Sequence, residues 1–308
     1  MSHDAPGRRM KLGTMPSLKD DSLGGETPRY RDIQAMAQAA EAIGLDSFWL
    51  ADHVLFRAPT GENIGTWEGF TFLSALAAAT TRIALGPLVA CTSFRNPALL
   101  AKMADSLDEI SDGRFILGVG SGWNEPEYTM FGWPFDHRVS RFEEAMQIIA
   151  PLLREGRVDF HGEYYDATDA VLQPRGPSPS GPPIWIGGTR PRMLRLTARF
   201  ADAYNTDTIL SAERATELWA NMRAACAEVG RDPATLALTA FTAVRVLQAG
   251  ESAQPNEQAI VGTVEQVADA LRAFADAGVT HLVVRFEQLG VAGIERFAPV
   301  IELLDQTM

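Results

Sequence analysis

Cysteine is nearly missing from this sequence: 308 residues hold only Cys91 and Cys226, far apart and in no metal-ligand spacing. That argues against a disulfide framework and fits a reducing cytoplasm. Histidine is scarce as well. His3, His137, His161 and His281 are scattered, which points to no metal site. No apolar run approaches the ~20 residues that cross a bilayer, and the opening Met1–Arg9 is polar, without the apolar centre of a signal peptide. Positive charge is in deficit, 27 Lys and Arg against 39 Asp and Glu, for a net charge of −12. Such a surface repels nucleic acid and anionic membranes, so any anionic ligand must be held by local donors. Internal repeats and low-complexity segments are also lacking. What remains is the expectation of a cytoplasmic protein that acts on small molecules.

What is present is ordinary globular composition, 46% hydrophobic and 21% charged, patterned as strands and helices in alternation. Strands are expected near 10–15, at Ser47–Ala51, Arg82–Ala90, Arg114–Val119, Ile184–Ile186, Ala203–Asn205, Leu236–Leu247 and His281–Phe286. Between them fall helices with recognisable ends. Thr27 and Pro28 open the first, which buries Ile33, Met36, Ala37, Ala40 and Ile43 and stops at Gly44. Asn96-Pro97 opens another, with Leu99, Leu100, Met103, Leu107 and Ile110 turned inward. Ser140 and Glu143 form a capping box, and Pro151 predicts a kink or an early end to that helix. Further helices are read at Ala212–Val229, after Thr263 with its partner Gln266, and at Ala292–Leu304. Val158–Pro174 alternates weakly, as an inserted hairpin would. Eight β-then-α units over 1–308 without a break in composition favour one (β/α)8 TIM barrel, with insertions after strands two and four, over an open doubly wound sheet.

In a barrel of this kind the chemistry sits at the C-terminal ends of the strands. Four segments there are unusual: Ala51-Asp-His53, Cys91-Thr-Ser-Phe-Arg95, Gly118-Val-Gly-Ser-Gly-Trp-Asn-Glu125 and Gly187-Gly-Thr-Arg190. Gly187, Gly188 and Thr189 join a strand to a helix, with Arg190, Arg192 and Arg195 following. They read either as a phosphate cradle at a helix N-terminus or as a tight turn beside surface arginines. Gly118–Gly122 departs from the dinucleotide fingerprint, because Trp123-Asn-Glu-Pro126 stands where its third glycine and helix are needed. Ser121 and Gly122 then read as a wall against a ring or phosphate, or simply as a glycine-rich turn. His53 is either a proton-transfer group or a structural histidine. Cys91 reads as a buried thiol rather than a nucleophile, and Met103, Met146 and Met193 as core.

These segments resemble the luciferase-like monooxygenase superfamily, in particular its coenzyme F420-dependent branch. The resemblance runs from about Met10 to Leu304 and is most specific from Phe94 to Met103, from Asp112 to Glu125, at Pro183–Gly188 and at Ala201–Asn205. It implies a flavin-shaped ring across the barrel mouth, and a bulge with a non-prolyl cis peptide near Leu88-Val89. Asp52 and His53 match the family's active-site pair. One departure stands out: some deazaflavin dehydrogenases carry a glutamate after the Gly-x-Gly of strand four, where this chain has Trp123. Asn124, Glu125 and Glu127 lie near it in a different register. The reading that follows is hydride transfer between F420 and a small organic substrate. Gly187, Gly188, Thr189 and Arg190 would hold the phosphate end. Trp67, Trp123, Phe131 and a lid loop, Phe56–Trp67, would wall the substrate pocket. The alternatives are an FMN monooxygenase fed by a reductase partner and a non-catalytic flavin-binding protein. A homodimer is the default expectation for a soluble enzyme.

Overall fold

The computed structural model describes residues 8–254, 258–288 and 290–306. The polar opening Met1–Gly7 and His3 lie outside them. Among the described residues the barrel strands are β1 (Lys11–Thr14), β2 (Ser47–Leu50), β3 (Ala84–Pro87, resuming as Ala90–Cys91), β4 (Leu117–Gly120), β5 (Ile184–Gly187), β6 (Ala203–Thr208), β7 (Ala237–Val246) and β8 (His281–Phe286). All pair in parallel. The sheet runs from the first half of β3 through β2, β1, β8, β7, β6, β5 and β4 to the second half of β3. Ala90 and Cys91 pair with Val119 and Gly120, and a single bridge links Leu85 to Phe115, so the two ends of the sheet meet along one interrupted strand. The result is a near-closed TIM barrel, as the alternation predicts. A short strand, Ile260–Gly262, extends β7 at Val244–Val246.

The helices are α1 (Tyr30–Ala42), α2 (Gly69–Ala79), α3 (Pro97–Ile110), α4 (Glu125–Phe131), α5 (Arg138–Glu155), α6 (Pro191–Phe200), α7 (Ala212–Val229), α8 (Val264–Asp276), α9 (Gly290–Arg296) and α10 (Ala298–Asp305). One apolar cluster joins the strands' outer faces to these helices. A smaller one, with Trp49, Trp185, Phe241 and Val283, fills the barrel interior. At its base the Trp49 indole N–H donates to Ser47 Oγ (2.6 Å), which lies 2.6 Å from His281 Nε2. Burial, with Lys11 and Arg8 adding to it, pushes His281 down to about 3. The ring is therefore neutral.

Several helix ends depart from the sequence reading, each for a local reason. Thr27 does not cap α1, because its hydroxyl donates to Asp20 (3.0 Å); the helix starts at Tyr30, where the Asp32 carboxylate accepts the Arg29 N–H (2.8 Å). Ser140 and Glu143 are not a cap either. Both receive Arg192, and α5 begins two residues before them. Pro151 does not end that helix, which continues to a left-handed Gly156. The buried stripe of α3 is Leu100, Ala101, Ala104 and Leu107; Leu99 and Ile110 are about half exposed, so the inward face is turned by one residue. The last helix is two, since Pro299 suits a first turn and restarts the chain after buried Phe297. Helix α2, on residues the sequence reading leaves unassigned, is capped by Glu68, which accepts Phe70 and Thr71 N–H. Asn96 capping α3, the Thr263–Gln266 box on α8 and the antiparallel hairpin of Arg157–His161 with Asp166–Val171 are as expected.

Candidate active site

The C-terminal ends of the strands open on a cleft of about 520 Å³. Asp52 and His53 reach it after β2, Leu88 to Cys91 from the interruption of β3, Ser121 to Trp123 after β4, Gly187 to Thr189 after β5, and Asn205 to Thr208 from the end of β6. The four segments marked out in the sequence thus converge on one cavity. Its lining includes three carboxylates, Asp52, Glu127 and Asp207, but neither lysine nor arginine.

His53 is built into this wall by a partner 74 residues away. Its Nδ1 lies 2.9 Å from Glu127 Oε2, while Glu127 Oε1 accepts the backbone N–H of Val54 (2.6 Å) and Leu55 (3.1 Å). Glu127 is fully buried on α4. Burial alone would raise its carboxyl, but the contact with His53 and the two amides outweigh that, and the group sits below its ordinary value. An ionised carboxylate only accepts hydrogen bonds. Nδ1 must therefore carry a proton, and Nε2 is the nitrogen left for a ligand. The rings of Phe56 (4.4 Å) and Trp123 (5.5 Å) flank the imidazole. The sequence supplied Glu127 only as a neighbour in the wrong register. Its place in the first turn of α4, beside Glu125, was the signal available.

Asp52 faces away from that pair. Both its oxygens meet Arg95 in a fork (2.7 and 2.8 Å), and Oδ2 also accepts the Cys91 N–H (2.9 Å). Arg95 reaches on to Glu68 (2.6 Å) and lies over the Phe70 ring. The carboxylate thus fixes the resumed half of β3 beside the Leu88–Val89 peptide, which is cis and non-prolyl as the resemblance implies. Cys91 Sγ sits 3.0 Å from the Tyr128 hydroxyl, which donates to Ser121 O (3.1 Å). Burial pushes the Cys91 thiol up to about 11, so it carries no thiolate at neutral pH.

The glycine corner lies across the cleft from His53's strand. Helix α6 starts there with Arg190 at its N-cap, no side-chain cap and Pro191 in its first turn, so its first free amides are unclaimed by side chains. Protein packing does not require a glycine at 187: a Cβ there would meet nothing closer than 3.8 Å, which leaves that space to a ligand. At Gly122 the opposite holds. With φ at +74°, a Cβ would fall 1.9 Å from the Tyr128 hydroxyl. Thr206 adds a buried hydroxyl without a protein partner on the cleft wall. An anionic group fits this corner through backbone amides and the helix dipole.

Other expected residues are placed elsewhere. Arg190 is exposed and does not line the cleft. Arg192 pairs with Glu143 (2.7 Å) and Arg195 with Glu228 (3.5 Å), so their charge is spent on neighbouring helices. Of the three expected pocket aromatics, Trp123 lines the cleft. Trp67 donates to Pro28 O (2.7 Å) and stacks on Phe72, and Phe131 stacks on Trp133 (5.2 Å), outside it. The expected lid loop is a hairpin of Leu55–Arg57 with Asn63–Gly65, pinned where Gly65 and Asp20 exchange hydrogen bonds (2.7 and 2.9 Å).

Comparison with known proteins agrees with this geometry. An F420-dependent glucose-6-phosphate dehydrogenase of Amycolatopsis mediterranei is 34% identical over 178 residues, 56% of this chain and 52% of that protein. Pyrimidine monooxygenase RutA of Methylobacterium radiotolerans is 35% identical over 215 residues, 65% of this chain and 55% of the other. The chain therefore spans about half the length of these curated relatives. An F420-dependent secondary alcohol dehydrogenase, solved with an F420-acetone adduct, superposes with a TM-score of 0.80 over 96% of this chain and 99% of that one, at 19% identity. Residues 10–255 match the model of the luciferase-like monooxygenases, and with the barrel and the four converging segments in place, this chain belongs to that family.

Proposed function

We propose that this protein transfers hydride between coenzyme F420 and a small organic substrate, with His53 moving the proton that must accompany it. The observation that carries this reading is the His53–Glu127 pair. It leaves Nε2 as the imidazole nitrogen available to a ligand in a cleft whose far corner suits an anionic tail. The similarity to the F420-dependent glucose-6-phosphate dehydrogenase and secondary alcohol dehydrogenase supports the coenzyme. F420 would supply two-electron hydride chemistry. Gly187, Gly188, Thr189 and the start of α6 would hold its phosphate, and Ser121, Gly122, Leu88 and Val89 would face its ring. When an alcohol is oxidised, its carbon loses hydride and its hydroxyl proton passes to His53 Nε2; reduction of a carbonyl runs the reverse. Phe56 and Trp123 flank the imidazole at 4.4 and 5.5 Å.

A second reading is favoured by the similarity to the pyrimidine monooxygenase: FMN in the same cleft, reduced by a partner enzyme, with oxygen as co-substrate. Titration of the apoprotein with F420 and with FMN side by side, followed by fluorescence, tests the two. The expected result is tight binding of F420 and weak binding of FMN; the reverse would overturn the coenzyme assignment. His53→Ala in the F420-loaded enzyme should then lower kcat about 10²–10⁴-fold while leaving F420 affinity unchanged. In this reading the enzyme acts in the cytoplasm, where Cys91 and Cys226 stay reduced, and as a homodimer, the default for a soluble enzyme.

A further inference from the structure

The carboxylate that holds His53 is also the anchor of the hairpin beside the cleft. Glu127 collects three N–H groups: His53 Nδ1, Val54 N and Leu55 N, the last being the first residue of the Leu55–Arg57 strand. Asn124, on the turn before, donates to Leu55 O (2.8 Å), completing the dock of the hairpin's root on α4. The hairpin's own Phe56 lies against the His53 ring, with Lys19 Nζ 3.7 Å from the Phe56 ring centre. Among the described residues Glu127 is the acceptor that faces Nδ1, so the orientation of the ring depends on a buried carboxylate that the hairpin root shares.

We infer that Glu127 is a positioning residue that couples the hairpin of residues 55–65 to the proton-transfer histidine, so that Nε2 is presented to substrate only while the hairpin is docked. The inference rests on His53 being the proton-transfer group. Undocking withdraws the Val54 and Leu55 amides from Glu127, removes Phe56 from the imidazole and lets water compete for the carboxylate. Nδ1 then loses its fixed acceptor and the ring interchanges tautomers or turns. Docking restores all three hydrogen bonds together. The docked hairpin thereby sets the proton's address on the imidazole.

The test needs neither coenzyme nor substrate, so its outcome is independent of which flavin binds. Two measurements are made on the full chain by nuclear magnetic resonance. One is the nitrogen-15 pattern of His53, which distinguishes Nδ1–H from Nε2–H. The other is hydrogen exchange at Val54 N, Leu55 N and His53 Nδ1. In the wild type the pattern is expected to be Nδ1–H, with the three protons showing protection equal to within about two-fold once corrected for intrinsic rates, since one opening exposes all of them. In Glu127→Gln, one oxygen cannot serve both sides. The Nδ1–H pattern should be lost and exchange at Val54 and Leu55 should rise about ten-fold or more. An Nε2–H pattern in the wild type, three unrelated protection factors, or a variant in which only one readout moves would each overturn the coupling. The wild-type arm stands even if the variant does not fold.

Discussion

Single residues carry most of this site, and their partners decide what each can do. Asp52 and His53 are adjacent in sequence yet serve separate assemblies: one is bound to Arg95 and Cys91, the other to Glu127. The Asp52–Arg95 fork has almost no solvent, the side chains being 1% and 12% exposed. Removing one partner from such a pair leaves the other charged and buried. Arg95→Ala is therefore expected to cost about 3–5 kcal/mol, read as a fall in the urea midpoint at unchanged slope. A loss under ~1 kcal/mol would show that Glu68 and water compensate. Arg95→Lys should recover part but not all of it, because a lysine cannot reproduce the fork. At this scale the sequence marked His53 and the glycines by their place beside strand ends, and the family resemblance marked Leu88–Val89; all of them line the cleft. It placed Glu127 near the site but not on His53, since a contact across 74 residues leaves no spacing to read. Trp67 and Phe131 were misplaced for a related reason: composition marks an aromatic as useful, but its neighbours decide which way it turns.

Elements were legible where periodicity is strong and less so at their ends. The parallel strands read as apolar runs because both faces are buried, which is why β7 and β8 were found almost to the residue. Helix starts went astray at Thr27 and Ser140, where side chains suited to capping were claimed by Asp20 and Arg192. Pro151 is the instructive case. Helix α5 runs on for four residues beyond it, so packing of Ile148, Ile149, Leu152 and Leu153 outweighs a missing hydrogen bond. An interior proline costs about 3 kcal/mol of helix stability. Pro151→Ala should accordingly raise the thermal midpoint by the equivalent of about 1–3 kcal/mol, without effect on coenzyme binding. A lower midpoint would mean that the ring's own contacts matter more than the bond it forfeits.

At the scale of the molecule, the barrel's base is sensitive to acid through His281. The folded ring releases its proton near 3, against 6.5 for an unperturbed imidazole. Below 6.5 the unfolded chain binds the proton that the folded one refuses. The stability tied to this neutral ring is thus complete above 6.5 and declines as pH falls toward 3, by about 1.4 kcal/mol per pH unit. Denaturation midpoints measured across that range should fall with this slope superimposed on the carboxylate contribution, and His281→Asn should remove it. An unchanged slope in the variant would mean that the ring is charged in the fold.

The cleft wall has a kinetic corollary. Its lining offers an incoming anion no lysine or arginine, and the whole chain carries twelve excess negative charges. In the proposed reading, long-range forces would slow an anionic coenzyme's approach, and recognition would begin only within contact range of the amides of α6. Dissolved ions, which ordinarily weaken the encounter of a protein with a charged ligand, would here relieve the repulsion and speed capture.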